Sequence, residues 1–203
     1  MTAVTPGAAG RVTTGFSYPY VARYAAAAGV ISYSDAMELA RGVSVQINPD
    51  NPDENGFWAN NQQAESGPSV FRSGNVALTV DGLLIAARRF VYGLPAAGSD
   101  GWTVVGDNAQ PPYVGIGYIQ RWKSGGVDGY TPTIIVKTKF QSPSDGAQTE
   151  GEDGIEWQTQ DLTATIFRGD DADHSWKYIG GDFATEAEAL AALRTKLGIT
   201  GQL

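Results

Sequence analysis

The chain has 203 residues, 42% of them hydrophobic and 18% charged, which suffices for one sizeable core and is ordinary for a globular domain. It holds no cysteine, so disulfides, thiolate zinc sites and cysteine nucleophiles are excluded together. The formal charge of −8 is concentrated between Asp145 and Asp173, where nine acids meet one base, Arg168; the remainder is balanced, with no basic stripe to neutralise phosphates.

No apolar run approaches the length of a membrane span and no basic, apolar, small-residue leader opens the chain, so we expect neither a span nor a secretory signal, and synthesis and assembly in a cytoplasm. A single domain over residues 1–203 is expected. Within it, residues 1–15 (Met1–Gly15), rich in Ala, Gly, Thr and Pro with one charge at Arg11, read as a flexible arm. Phe16–Tyr24 brings four aromatics in nine residues and reads as an extended segment whose rings need a surface. Val30–Tyr33 and Ala40–Ile47 read as strands, the second with Val43, Val45 and Ile47 on one face, and Ser34–Met37 as the turn between them.

Residues 48–68 (Asn48–Pro68) are rich in Pro and Asn and hold one aromatic pair, Phe57–Trp58. They predict a long loop or projecting hairpin, and connections of that length usually have a job. Polar flanks around a Phe-Trp tip point to docking on another subunit; the alternative is a loop folded back over its own core. Val70–Val80 resumes the alternation with Val76, Leu78 and Val80, and Asp81 is placed to cap a helix. In Leu83–Leu94 the helical spacing puts Leu83, Ala86, Ala87, Phe90, Val91 and Leu94 on a core face and Ile85, Arg88, Arg89 and Tyr92 opposite, with Gly93 and Pro95 as the stop.

A loop, Ala96–Pro112, surrounds Trp102. Strands Tyr113–Trp122 and Tyr130–Phe140 then read as an antiparallel hairpin about Gly125-Gly126, and Gln141–Asp153 as an acidic loop. Gly154–Arg168 keeps a strand-like alternation longest without Gly or Pro inside it, and reads as one long strand. Ile155, Trp157 and Thr159 share one face while Leu162, Ala164 and Ile166 share the other, so the apolar set changes sides near Gln160–Asp161. A bulge there, halves covered by different partners, or a strand broken in two would each explain the switch. Fifteen residues span about 50 Å, more than a small monomeric sandwich needs, so part of it, Ile155 and Trp157 included, is expected to pack on neighbouring copies. His174–Ile179 reads as a short strand. A capping box from Thr185 to Glu188 opens a last helix that Leu190, Leu193 and Leu197 line and Gly198 closes.

Catalytic motifs are nearly absent, and we expect no enzyme, metal site or cofactor. His174 is the lone histidine and reads as a surface residue. Asn51–Gly56 begins like a calcium loop, but its twelfth position is Gln62. Gly115 and Gly117 lack the third glycine of a phosphate cradle, and the carboxylate pair Glu152 and Glu156 arises readily by chance in an acidic window.

Seven stretches in shared order resemble the major tail, or tail tube, protein of long-tailed bacteriophages of the siphophage type, common in phages and prophages of Gram-positive bacteria. They are Thr14–Tyr24, Leu39–Val45, Asn75–Leu83, Pro112–Trp122, Pro132–Phe140, Ile155–Arg168 and His174–Ala189. The loops Asp50–Pro68 and Ala96–Gln110 depart from the family pattern.

The resemblance implies a mainly β fold, an antiparallel β-sandwich with one flanking helix and a C-terminal helix, and hexameric rings that stack into a virion tail tube. An inner sheet from each subunit closes the bore through which DNA passes without specific binding. The implied partners are other copies of the chain, a tape-measure protein, a tail terminator and a distal tail protein, with no membrane. Glu152, Asp153 and Glu156 are candidate lumen acids, since an acidic wall repels DNA. Two rivals are a carbohydrate-binding or adhesin-like sandwich using its aromatics as a sugar platform, and a hydrolase running on carboxylates.

Overall fold

A computed structural model describes residues 10–50, 56–66, 70–142, 146, 149 and 157–199, with the backbone alone at 56–58 and 63–66. The fold is mainly antiparallel β with two helices among these residues. Strands β1 (Val12–Ala27), β2 (Val30–Glu38), β3 (Gly42–Asp50), β6 (Ser73–Val80), β7 (Val114–Ser124), β8 (Val127–Phe140) and β9 (Gln160–Phe167) join one sheet in the order β2-β1-β7-β8-β9-β6-β3. Strand β10 (Lys177–Ile179) adds to β8 beside Thr133–Ile135, end to end with β9, which takes Lys137–Phe140. Strands β4 (Gly56–Ala59) and β5 (Gln62–Ser66) form a separate ribbon.

The expected two layers are therefore two parts of one sheet bent over itself. Val21, Val114, Ile116 and Ile135 from β1, β7 and β8 meet Val76, Leu78, Leu162, Ala164 and Ile166 from β6 and β9 in one buried cluster. Gly42 lies against the Phe16 ring, so β3, at one end of the strand order, touches β1 near the other. Helix α1 (Ile85–Tyr92) fills the inside with Ala87, Val91 and Tyr92, the last edge-on to Phe140 at 6.4 Å between ring centroids. Helix α2 (Glu186–Lys196) covers the outside, where Ala189, Leu193 and Leu197 join Tyr20, Ile119 and Ile134. Strands β7 and β8 are thus covered on both faces, which is why their apolar runs are continuous.

Three hairpins use two-residue turns with both central φ positive: Ala28-Gly29, Asn60-Asn61 and Gly125-Gly126. This primed turn matches the twist of the strands it joins, and Gly and Asn tolerate it best. The capping box of α2 is present, since the Thr185 hydroxyl accepts the Glu188 N–H at 3.3 Å.

Several expectations are corrected. Gly154–Arg168 is not one long strand: β9 is eight residues, Gln160–Phe167, and Trp157–Thr159 precede it without strand structure. The change of apolar face marks where β9 begins, because Leu162, Ala164 and Ile166 point into the core while Trp157 is 88% exposed. The overlong strands are β1 and β8, with 16 and 14 residues. Both contain Gly and Pro; in β1 a register shift between Ser17 and Tyr20 carries Pro19, which has no N–H, out of the ladder.

The arm ends earlier than Gly15, since Val12 and Thr13 already pair with Lys123 and Trp122. Ser34–Met37 is no turn; it lies within β2, where a register shift against Val21–Arg23 absorbs the positive φ of Asp35. Asp81 caps no helix: it accepts the Arg41 backbone N–H at 3.0 Å and pairs with the Arg41 guanidinium, while the α1 N-cap is Leu84 without a side-chain bond. Tyr92 is buried and Ala86 exposed, so the core face of α1 is turned from the one its spacing predicts. Val43 is skipped by the β3–β6 register and left exposed, and Asn48–Asp50 extend β3 rather than the loop.

Candidate assembly surfaces

The β4–β5 ribbon places Phe57 and Trp58 on β4, so the stretch expected to be a long loop or projecting hairpin contains a hairpin. It pairs with no strand of the main sheet among the described residues. Trp157 is nearly fully exposed at the entrance to β9. Ile155 and the candidate lumen acids Glu152, Asp153 and Glu156 lie outside the described residues, as does most of the Asn51–Gly56 calcium-like stretch.

Three described acids of the acidic window have structural partners. Asp161 accepts the Thr79 hydroxyl at 2.7 Å from its cross-strand position. Asp171 accepts the Ser175 N–H at 2.8 Å in a tight turn. Asp170 accepts Lys137 Nζ at 2.7 Å and the Tyr24 hydroxyl at 3.0 Å, clasping β1 to β8. Lys137 and Tyr24 hold the Asp170 carboxyl below the usual carboxylate range, and burial beside Asp170 pushes the Tyr24 phenol up to about 12.

A depressed carboxyl pKa stabilises the fold above the ordinary carboxylate range, and that contribution is lost as pH falls through the depressed value. Asp170→Asn is therefore expected to flatten the acid limb of thermal stability, measured by melts between about pH 7 and about pH 3. An unchanged acid limb would remove the clasp from the account.

The chain's entry is fixed by a buried ring. Trp122 donates its indole N–H to the Thr131 hydroxyl at 2.9 Å, and that hydroxyl donates to Asp182. Asp182 pairs with Arg11 at 2.8 Å, and the Arg11 guanidinium sits 5.2 Å over the Trp122 ring. These contacts tie the start of β1 to the β7–β8 hairpin. Spacing alone could not reveal the Arg11 contacts, which join residues more than a hundred positions apart.

Among the described residues, surface depressions of about 310 Å³ between β10 and α2 and about 410 Å³ between β1 and β3 are lined by no carboxylate or imidazole. His174 is exposed, with Nδ1 3.3 Å from the Gly169 carbonyl oxygen. Among the described residues no cluster of His, Cys, Asp or Glu is placed to hold a metal. Gly115 and Gly117 have a packing reason: a Cβ on Gly117 would come within 2.8 Å of Leu193 Cδ1 and 2.9 Å of Leu197 Cδ1, and one on Gly115 would run into Tyr33.

No protein-family model and no curated protein sequence matches the chain. No helix among the described residues is long and apolar enough to cross a membrane.

What the surface does offer is unfinished backbone pairing. Among the described residues, strand β2 bonds only to β1 and β3 only to β6, so the sheet ends in two nine-residue edges. The first four and last three residues of β1, a strand about 50 Å long, are exposed although they stay in the ladder with β7 at one end and β2 at the other.

Proposed function

We propose that the chain is a self-assembling structural protein, the subunit of a phage tail tube in which hexameric rings stack into the conduit for the genome. The observation that carries this reading is the pair of open edges, β2 and β3, at opposite ends of one sheet. Open edges of this length invite pairing with another chain unless assembly closes them. Joining β2 of one copy to β3 of the next is a heterologous contact, and such contacts either close rings or run on without limit.

The exposed ends of β1 and the separate β4–β5 ribbon supply further surface for contact between copies. The family resemblance supplies the virion tail as the location, assembly in the host cytoplasm, and the tape-measure, terminator and distal tail proteins as partners. DNA passes without a specific site, in keeping with the lack of a basic stripe.

With its initiating partners present, the protein is expected to form tubes of stacked rings, seen by light scattering and negative-stain microscopy. Isolated chains wait for an initiating complex, so the decisive sample contains the tape-measure and distal tail proteins. Monomers alone in that sample would overturn the reading. Exposed Trp102 and Trp157 favour the carbohydrate-binding module as a second reading; glycan binding by the isolated monomer, lost on Trp102→Ala, would select it.

A further inference from the structure

We propose that Val30–Ser34, the tip half of β2 in one copy, pairs along Gly42–Asn48 of β3 in a second copy and covers the groove beside it. This rests on the assembly reading and names the segments that join its two open edges.

Each edge is guarded over one half only. Edge strands discourage pairing with charges, prolines and irregular backbone. Asp35, at positive φ within a register shift, and Glu38 guard the far half of β2, and Pro49 and Asp50 guard the far half of β3. Val30–Ser34 and Gly42–Asn48 hold neither charge nor proline. Val30, Ile31, Val43, Val45 and Ile47 give both segments the β-branched content that strands favour.

The β1–β2 tip reaches away from its own sheet. The Tyr24 N–H donates to the Tyr113 carbonyl at 3.0 Å, and beyond it Ala25–Ala27 pair with Val30–Ser32 and with no other described strand. A two-stranded ribbon is marginally stable in water at best, so it needs support from outside itself. Ala25–Ala28 and Gly29 keep the tip slender, no charged residue occurs from Tyr24 to Ser34, and Val30 is 67% exposed.

The groove of about 410 Å³ between β1 and β3 matches that tip. Val43, Val45 and Ile47 line it from β3, Phe16 and Tyr118 from β1 and β7, and none of its lining residues is charged. Val12–Ser17 of β1 lies beyond the reach of β2 and pairs with β7 alone among the described residues. An uncharged, slender strand edge thus meets an uncharged groove bordered by backbone that lacks a partner.

Topology makes the contact intermolecular. Thr13 in the groove and Ala27 at the tip stand near opposite ends of one strand, about 45 Å apart, so no copy reaches its own groove. Tip to groove is a head-to-tail contact, and each addition leaves one tip and one groove open for the next copy.

The cysteine-free chain allows a direct test. Ser32→Cys and Ser44→Cys, both at exposed positions, are made separately, mixed with the tape-measure and distal tail proteins present and treated with a short bismaleimide. A cross-linked dimer is expected in the mixture and in neither variant alone. Ser32→Cys linking to itself would replace the pairing by a two-fold contact of β2 and overturn the proposal. Equal linking of Ser32→Cys to a control, Val127→Cys, would overturn it as nonspecific. Tubes without the Ser32–Ser44 link would sink the pairing and leave the assembly reading standing, while neither tubes nor link would sink both. As a second arm, Ser32→Lys and Ser44→Asp are each expected to raise the concentration needed for assembly about tenfold or more, with the monomer's melting temperature unchanged. The two substitutions combined in one chain are expected to recover most of that loss, because every contact then sets the lysine against the aspartate. No recovery would show that the two segments do not face each other.

Discussion

Trp122→Ala is expected to cost about 3–5 kcal/mol of folding stability, which for a chain of this size lowers the melting temperature by roughly 6–20 °C. The ring is 1% exposed and lies over Gly129, where a side chain would leave it no room. Removing it leaves a cavity between β7 and β8 and the Thr131 hydroxyl without its indole donor. It also removes the surface on which the Arg11 guanidinium rests. Calorimetry gives the size of the loss, and amide exchange at Arg11 and Val12 reports whether the start of β1 loosens with it. Trp122→Phe keeps a ring without the N–H and is expected to fall between the two. A loss below about 1 kcal/mol for the alanine variant would mean that the neighbours collapse into the space, and the ring would not be the anchor of the chain's entry.

The fold class was legible in the sequence because local chemistry and tertiary structure agree over much of the chain. Gly125-Gly126 dictates the β7–β8 turn, and the polar stretch around Asn60-Asn61 predicts a hairpin, since both demand positive φ that few residues tolerate. Thr185 and Glu188 announce α2 through a bond within one turn. Errors arose where a distant partner overrides the local signal. Asp81 looks like a cap, yet Arg41 from the start of β3 claims its carboxylate. Tyr92 looks like a surface residue by spacing, yet Phe140 offers it a ring to pack on. The composition of Met1–Gly15 reads as an arm and Phe16–Tyr24 as an extended segment, but one ladder runs through Val12–Ala27, with register shifts carrying it past Gly15 and Pro19. The candidate surface was legible only in part. The ribbon was visible in composition, whereas the open edges β2 and β3 are products of strand order, which no local pattern encodes.

The double variant Phe57→Ala with Trp58→Ala is expected to abolish assembly while leaving the monomer intact. The ribbon's backbone pairs only with itself among the described residues, and on the docking reading the truncation leaves the main core as it is. Burying a Phe or Trp on a partner is worth about 4–6 kcal/mol by the area rule, before the cost of association is subtracted. A loss of about 5 kcal/mol per contact raises the concentration needed for assembly more than a thousandfold, beyond what a solution of the protein reaches. In a ring each contact is made once per subunit, so the deficit recurs at every step of growth. Sedimentation and light scattering measure assembly, and calorimetry measures the monomer. Tubes forming at an unchanged concentration would show that the pair is not at a subunit contact. A large fall in the monomer's melting temperature with assembly intact would place both rings in the subunit's own core, and the ribbon would then be a flap over its own sheet.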